Sequence, residues 1–265
     1  MKRTIIFLLL MVALVTIHSC SSVPIIGRKQ ISLLPESQMV SMSLTSYKEF
    51  LDSSEIVKTG QHLTLVKNSG ARISAAVEKF LSQNGMSDRL KTFNWEYNLV
   101  NDKTPNAWCM PGGKIVFYEG IIPICMNEAG VAVVMGHEIA HAVARHGNER
   151  MSQGLIAQFG SMALDVAMSE QPEQTRSIFL SAFGLGAQVG VMLPFSRKHE
   201  YEADELGLIF MTMAGYNPNE AIAFWQRMSK LGGANVPEYL STHPMNEKRI
   251  AALVKLIPEM EKYKP

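Results

Sequence analysis

The sequence predicts a mainly α chain with a small β-sheet, an α+β fold, and three observations carry that prediction. Apolar residues recur at helical spacing through eight stretches, at 36–51, 69–83, 127–146, 152–168, 173–193, 197–214, 218–231 and 245–261. Period-two alternation is confined to residues 93–100, where Phe93, Trp95, Tyr97 and Leu99 alternate with Asn94, Glu96 and Asn98. One turn signal, Pro111-Gly112-Gly113, separates Ala107–Met110 from Lys114–Tyr118 and predicts a hairpin.

In chain order, Lys2 and Arg3 precede an apolar run from Ile5 to Ile17 that closes in Ile17-His18-Ser19-Cys20. A basic start and a run too short to span a bilayer suit an export signal. The small residue before Cys20 resembles a bacterial lipoprotein cleavage box. That resemblance implies a signal peptide over 1–19, lipidation at Cys20, and a membrane anchor through that lipid. Residues 20–35, with Pro24, Gly27 and Pro35, read as a tether, and 36–265 as the catalytic domain. The alternative is an uncleaved N-terminal anchor, and by resemblance to known lipoprotein sorting Ser21 after the cysteine implies the periplasmic side of the envelope, at the outer membrane. Losing Lys2 and Arg3 moves the formal charge from +1 to −1, so no electrostatic case for nucleic acid exists. Cys109 and Cys125 then remain, and their pairing stays open.

Capping residues bound the later helices. Asn127 precedes the stretch to His146 and Gly147 ends it; Gly215 ends the 197–214 stretch, and Asn217-Pro218 opens the next. Ile178–Leu193 is nearly all apolar, with Gly184, Gly186 and Gly190, and reads as a buried core helix. No tetratricopeptide period follows.

Inside the helix opened by Asn127 stands His137-Glu138-Ile139-Ala140-His141, an H-E-x-x-H run. Residues four apart share a helix face, so both imidazoles can meet one zinc ion, and Glu138 can take a proton from its water. A chance match in a chain this long has odds on the order of one in a hundred. The apolar surroundings, Val131 to Met135, lower that figure, because unpaired histidines and a carboxylate are costly to bury there. A third ligand is still required. No His follows His141 at the six-residue spacing, and His146 turns away from the ligand face, reading as surface or outer support. The other arrangement takes a Glu from a separate helix, and Ser196–Gly207 supplies Glu200, Glu202 and Glu205.

HEIAH together with S-R-x-x-E-x-E-A-D-x-x-G resembles the zinc metalloproteases that include the CAAX prenyl endopeptidases, HtpX, BepA and LoiP. Asn106–Gly120, Ser241-Thr242-His243-Pro244 with Arg249, and Gly27-Arg28-Lys29-Gln30 are similar to that family's flanking blocks, so the resemblance runs from about residue 24 to 250. It implies a zincin-like domain with an active-site helix and an edge-strand hairpin. It implies Glu200 as the third ligand and Asp204 as the acceptor that steadies a zinc-bound imidazole. Glu202 and Glu205 project from other faces than Glu200. The resemblance also implies a zinc endopeptidase of the cell envelope acting on misfolded proteins, with Glu138 as general base.

An edge strand beside such a site binds extended peptide by strand addition. Lys114, Ile115, Val116 and Phe117 are therefore expected at, or next to, the substrate-binding edge, the other reading being an ordinary hairpin. His243 lies near the active site by resemblance. There it either assists catalysis at the oxyanion, caps the zinc and holds the enzyme closed, or simply ties down the last helix. Arg249 reads first as a salt-bridge partner. His62 carries no role, and His199 is expected to face solvent. The rival reading of the chain is a zinc-stabilised chaperone or assembly factor whose latent protease is gated by His243.

Overall fold

The computed structural model describes residues 20–187, 193–231, 238–244 and 247–265. The expected signal peptide lies outside them, as does the side chain of Cys20. The described residues fall into two compact units, one from within 37–144 and 197–265, the other from within 20–36 and 145–196.

The larger unit holds most of the fold. Helices α1 (Glu36–Ser53) and α2 (Gln61–Gln83) precede strands β3 (Glu96–Val100), β4 (Ala107–Met110) and β5 (Lys114–Tyr118). After the short α3 (Ile122–Cys125) come α4 (Glu128–Val143), then α7 (Leu193–Met213), α8 (Asn219–Lys230), α9 (Glu238–Thr242) and α10 (Glu247–Leu256). The α+β class is as expected. α4 starts where the Asn127 side chain accepts from Gly130 N at 3.0 Å, a standard N-cap. It is buried almost all round and packs against α2, a helix whose Val66, Ile73, Val77 and Phe80 are buried. It ends earlier than Gly147, because Arg145 takes a left-handed conformation at φ 60° and the next helix begins at once.

Gly136 of α4 and Gly207 of α7 meet backbone to backbone. A Cβ on Gly207 would stand 3.0 Å from His137 N, and one on Gly136 would stand 3.0 Å from Gly207 O. These two glycines let α7 approach the helix that carries H-E-x-x-H. Gly207→Ala should spread the pair and destabilise the protein by about 1–3 kcal/mol, with zinc affinity falling in parallel. A melting curve and a zinc titration check this; an unchanged titration would show that the close approach is not needed.

The sheet removes one of the two placements expected for Lys114–Tyr118, at the edge or beside it. Its strand order is β3-β5-β4, with β3 parallel and β4 antiparallel to β5. Lys114–Tyr118 is thus the central strand, and its backbone groups are committed on both sides. Lys114, Ile115, Val116 and Phe117 are buried, and the Lys114 ammonium bonds Asn94 O at 2.8 Å. They cannot receive a substrate strand. The edges are β3, which packs against α2, and β4, which packs against α4.

In the other unit, residues 20–35 form more than a tether. β1 (Cys20–Ser22) pairs antiparallel with β2 (Lys29–Ile31). Arg28 makes a bidentate pair with buried Glu149 of α5 (His146–Ala167), at 2.8 and 2.7 Å. Leu33 N donates to Ser152 Oγ at 2.9 Å. α5 and α6 (Glu173–Ala187) form a hairpin in which the Phe183 ring meets Gly160. The expected helix at 178–193 is present over its described part but is not buried: Ile178 is 68% and Phe179 52% exposed, and residues 173–184 of α6 are all exposed or half-buried, because only α5 packs closely against it. Residues 188–192 lie outside the described residues.

Candidate active site

Three elements of the larger unit bring four side chains together. His137 Nε2 and His141 Nε2, one turn apart on α4, are separated by 3.1 Å. Glu200 arrives from α7, with Oε2 3.3 Å from His137 Nε2 and Oε1 3.4 Å from His141 Nε2. His243, just past α9, places Nδ1 3.2 Å from His137 Nε2 and 3.1 Å from Glu200 Oε1. All four ligand atoms lie within 4.8 Å of one another.

The arrangement fits a metal better than it fits a hydrogen-bond network. His137 Nε2 faces three polar atoms at 3.1–3.3 Å yet can carry only one proton. Tetrahedral zinc with bonds of about 2.0–2.1 Å separates its ligand atoms by about 3.3 Å, the spacing observed. Charge points the same way. Buried Glu138, Glu200 and Asp204 lie in and around the cluster, and among them Arg249 pairs with Asp204 and Glu200, so a divalent cation would be favoured there.

Asp204, one turn after Glu200, sits behind His137, its Oδ1 3.1 Å from Nδ1 though out of line for a straight hydrogen bond. Arg249 grips it from α10, Nε to Oδ2 at 2.8 Å and Nη2 to Oδ1 at 2.7 Å. The same guanidinium reaches Glu200 Oε2 at 2.9 Å and lies over the Trp225 ring at 4.5 Å. Glu202 is buried and Glu205 half-buried, and neither joins the four.

Glu138 stands beside the group, and two polar groups face its Oε1. The Tyr239 hydroxyl donates to it at 2.7 Å, and His243 Nε2 is 3.5 Å away. Tyr239 and Trp225 are absent from any sequence-level expectation. Tyr239 had one usable signal, its position one helical turn before His243. Trp225, whose ring meets His137 edge-on at 5.5 Å, had none.

Burial pulls the His137 imidazole down, but the Asp204 and Glu200 carboxylates outweigh it and hold its pKa at about 9. Burial alone would raise Glu200, yet His137, His141 and His243 keep it well below the usual carboxylate range; Asp204 is likewise lowered, chiefly by the Arg249 charge. Two outcomes follow for protein stripped of metal. The His137 contribution to stability is present below about 6.5 and lost as pH rises through about 9. The carboxylate contribution is present above their ordinary values, 4.5 and 3.8, and lost as pH falls through the depressed ones. Melting temperature should therefore peak between about pH 4.5 and 6.5. Zinc added near pH 7.5 should displace about one proton, which calorimetry in two buffers of different ionisation heat measures. Zero release would contradict the raised His137.

Other histidines fall away from the four. His62 Nδ1 pairs with Glu119 at 2.7 Å on the surface. His146 is buried in the other unit, and His199, expected to face solvent, is buried at 2% because its side of α7 turns inward. Cys109 and Cys125 are free thiols. Burial and then the Glu138 charge push Cys109 well above the ordinary thiol value, which leaves it a poor nucleophile.

Comparison with known proteins agrees with this geometry. The profile of peptidase family M48 matches residues 68–257. The mitochondrial metalloendopeptidase OMA1 of Schizosaccharomyces pombe is 38% identical over 191 residues, covering 71% of this chain and 53% of its own. Metalloendopeptidase OMA1, mitochondrial, of Homo sapiens is 27% identical over 245 residues, 89% of this chain and 45% of its own. The beta-barrel assembly-enhancing protease of Escherichia coli is 28% identical over 166 residues, 59% and 33%. The chain spans about half the length of the OMA1 relatives, or less. These matches correct the expected location. The relatives at 35–39% identity are mitochondrial enzymes, not lipid-anchored proteins of a periplasmic outer-membrane face.

Proposed function

Because the chain belongs to peptidase family M48, we propose that it is a zinc-dependent endopeptidase that cleaves extended segments of misfolded proteins. The observation that carries this reading is the convergence of His137, His141 and Glu200 beside the buried carboxylate of Glu138. His137, His141 and Glu200 would hold the zinc. Zinc in such a site supplies Lewis acidity and brings the pKa of a water down to about 7. Glu138 takes the water's proton and later gives it to the leaving amine. Asp204 fixes the His137 ring, and Arg249 fixes Asp204. Edge strand β4, next to α4, offers backbone N–H and C=O groups to an extended chain, and this pairing favours unfolded segments over folded ones.

His243 favours a second feature of the same reading. A catalytic zinc site keeps one position open, and His243 Nδ1, 3.2 Å from His137 Nε2 and 3.1 Å from Glu200 Oε1, would compete with water for it. His243 therefore gates the site and has to withdraw before water and substrate enter. The test is cleavage of casein by the zinc-loaded full chain, before and after chelation. Chelation should abolish cleavage, and zinc alone should restore it. His243→Ala should bind zinc more weakly yet turn over faster per bound zinc. Cleavage that survives chelation would sink the zinc mechanism, and a His243→Ala protein with unchanged affinity and turnover would sink the gate.

A further inference from the structure

The hydroxyl of Tyr239 is neither one of the converging ligand groups nor the base. Its ring is fully buried, stacked on Trp225 with centroids 5.9 Å apart and planes at 19°, and 4.7 Å from the His243 ring. Phenylalanine would pack there equally well, and burying a hydroxyl costs free energy unless it is bonded. The partner it has is Oε1 of Glu138, at 2.7 Å. That bond joins a fully buried phenol to a carboxylate only 3% exposed, so it forms where water competes little.

A general base works only when one oxygen faces the proton it removes. A glutamate side chain has three torsions, and the last is broad and poorly fixed by packing. We propose that Tyr239 is the positioning residue of the general base, holding Oε1 of Glu138 so that Oε2 is turned to the water. Its own placement is rigid. The backbone N–H of Tyr239 bonds Pro105 O at 3.3 Å, and Trp225 beneath the ring is clamped by the Arg249 guanidinium at 4.5 Å. Burial and the Glu138 charge push the phenol well above its ordinary value, so it stays a donor throughout the working range.

The inference rests on Glu138 acting as the base, and its test separates the two claims. Tyr239→Phe in the zinc-loaded full chain should lower kcat for casein about tenfold, the equivalent of one hydrogen bond of roughly 1.4 kcal/mol in the transition state. KM and bound zinc should stay unchanged. Full kcat in Tyr239→Phe overturns the proposal, and so does a kcat that falls only in step with lost zinc, since that marks a packing role. A second measurement needs no activity. In urea denaturation of the chelated full chain, Tyr239→Phe should shift the midpoint when Glu138 is present and not in the Glu138→Ala background. Equal shifts in both backgrounds overturn the contact. Wild-type protein that cuts nothing defeats the proposed function and this inference with it. An active wild type with equal urea shifts defeats the inference alone.

Discussion

Glu138→Gln is expected to lower casein cleavage by about 10²–10⁴-fold, the range that a positioned general base contributes. The substitution keeps shape and volume and removes only basicity. Gln retains an oxygen at the place where the Tyr239 hydroxyl donates to Oε1 at 2.7 Å, so the buried contact survives. Glu138 is not among the four converging ligand groups, so bound zinc and melting temperature should match wild type. That combination separates the base from the ligands. His137→Ala should lose activity together with zinc, whereas Glu138→Gln should lose activity alone. The measurement is a cleavage time course with zinc content determined on the same sample. Retention of more than a tenth of wild-type activity would remove Glu138 from the mechanism.

Arg249→Ala should be the most destabilising single change near the site. The Arg249 side chain is 2% exposed, and it satisfies both oxygens of Asp204, one of Glu200, and Pro244 O. Removing it leaves two carboxylates buried at 3% and 6% without their cation. Breaking a buried pair from one side costs about 3–5 kcal/mol, which lowers the melting temperature by roughly 10 °C or more in a domain of this size. Trp225 also loses the guanidinium over its ring. Arg249→Lys should recover only part of the loss, because an ammonium cannot bond both Asp204 oxygens in the planar fork. Zinc should raise the melting temperature of Arg249→Ala more than that of wild type, since a divalent cation replaces part of the missing charge. A variant that melts like wild type would show that Asp204 and Glu200 are neutral or solvated, contrary to their depressed pKa values.

The sequence by itself determined whatever rests on local geometry. His137, Glu138 and His141 could be placed because a spacing of four fixes a shared helix face wherever the helix lies. Asn127 caps α4 because a side-chain oxygen reaches an N–H three residues on, within one turn. The β4–β5 hairpin followed from Pro111-Gly112-Gly113, with both glycines at positive φ. Glu200 was reached by resemblance, since helical phase separates it from Glu202 and Glu205 but cannot say which face meets α4.

Tertiary structure decided the rest, and in each case the partner is distant in the chain. Strand order is such a case. A hairpin reads the same whether β5 is at the edge or in the middle, and only the parallel pairing of Tyr97 with Ile115 and Leu99 with Phe117 moved it to the centre. Exposure of Ile178 and Phe179 is another, because an apolar run records hydrophobicity and not what covers it. The clamp of Arg249 on Asp204 and the reach of Tyr239 to Glu138 both join separate helices, and the burial of His199 depends on what covers its side of α7. Periodicity reports which side of a helix is apolar. It carries no information on which helix that side meets, and the chemistry proposed here is assembled from four of them.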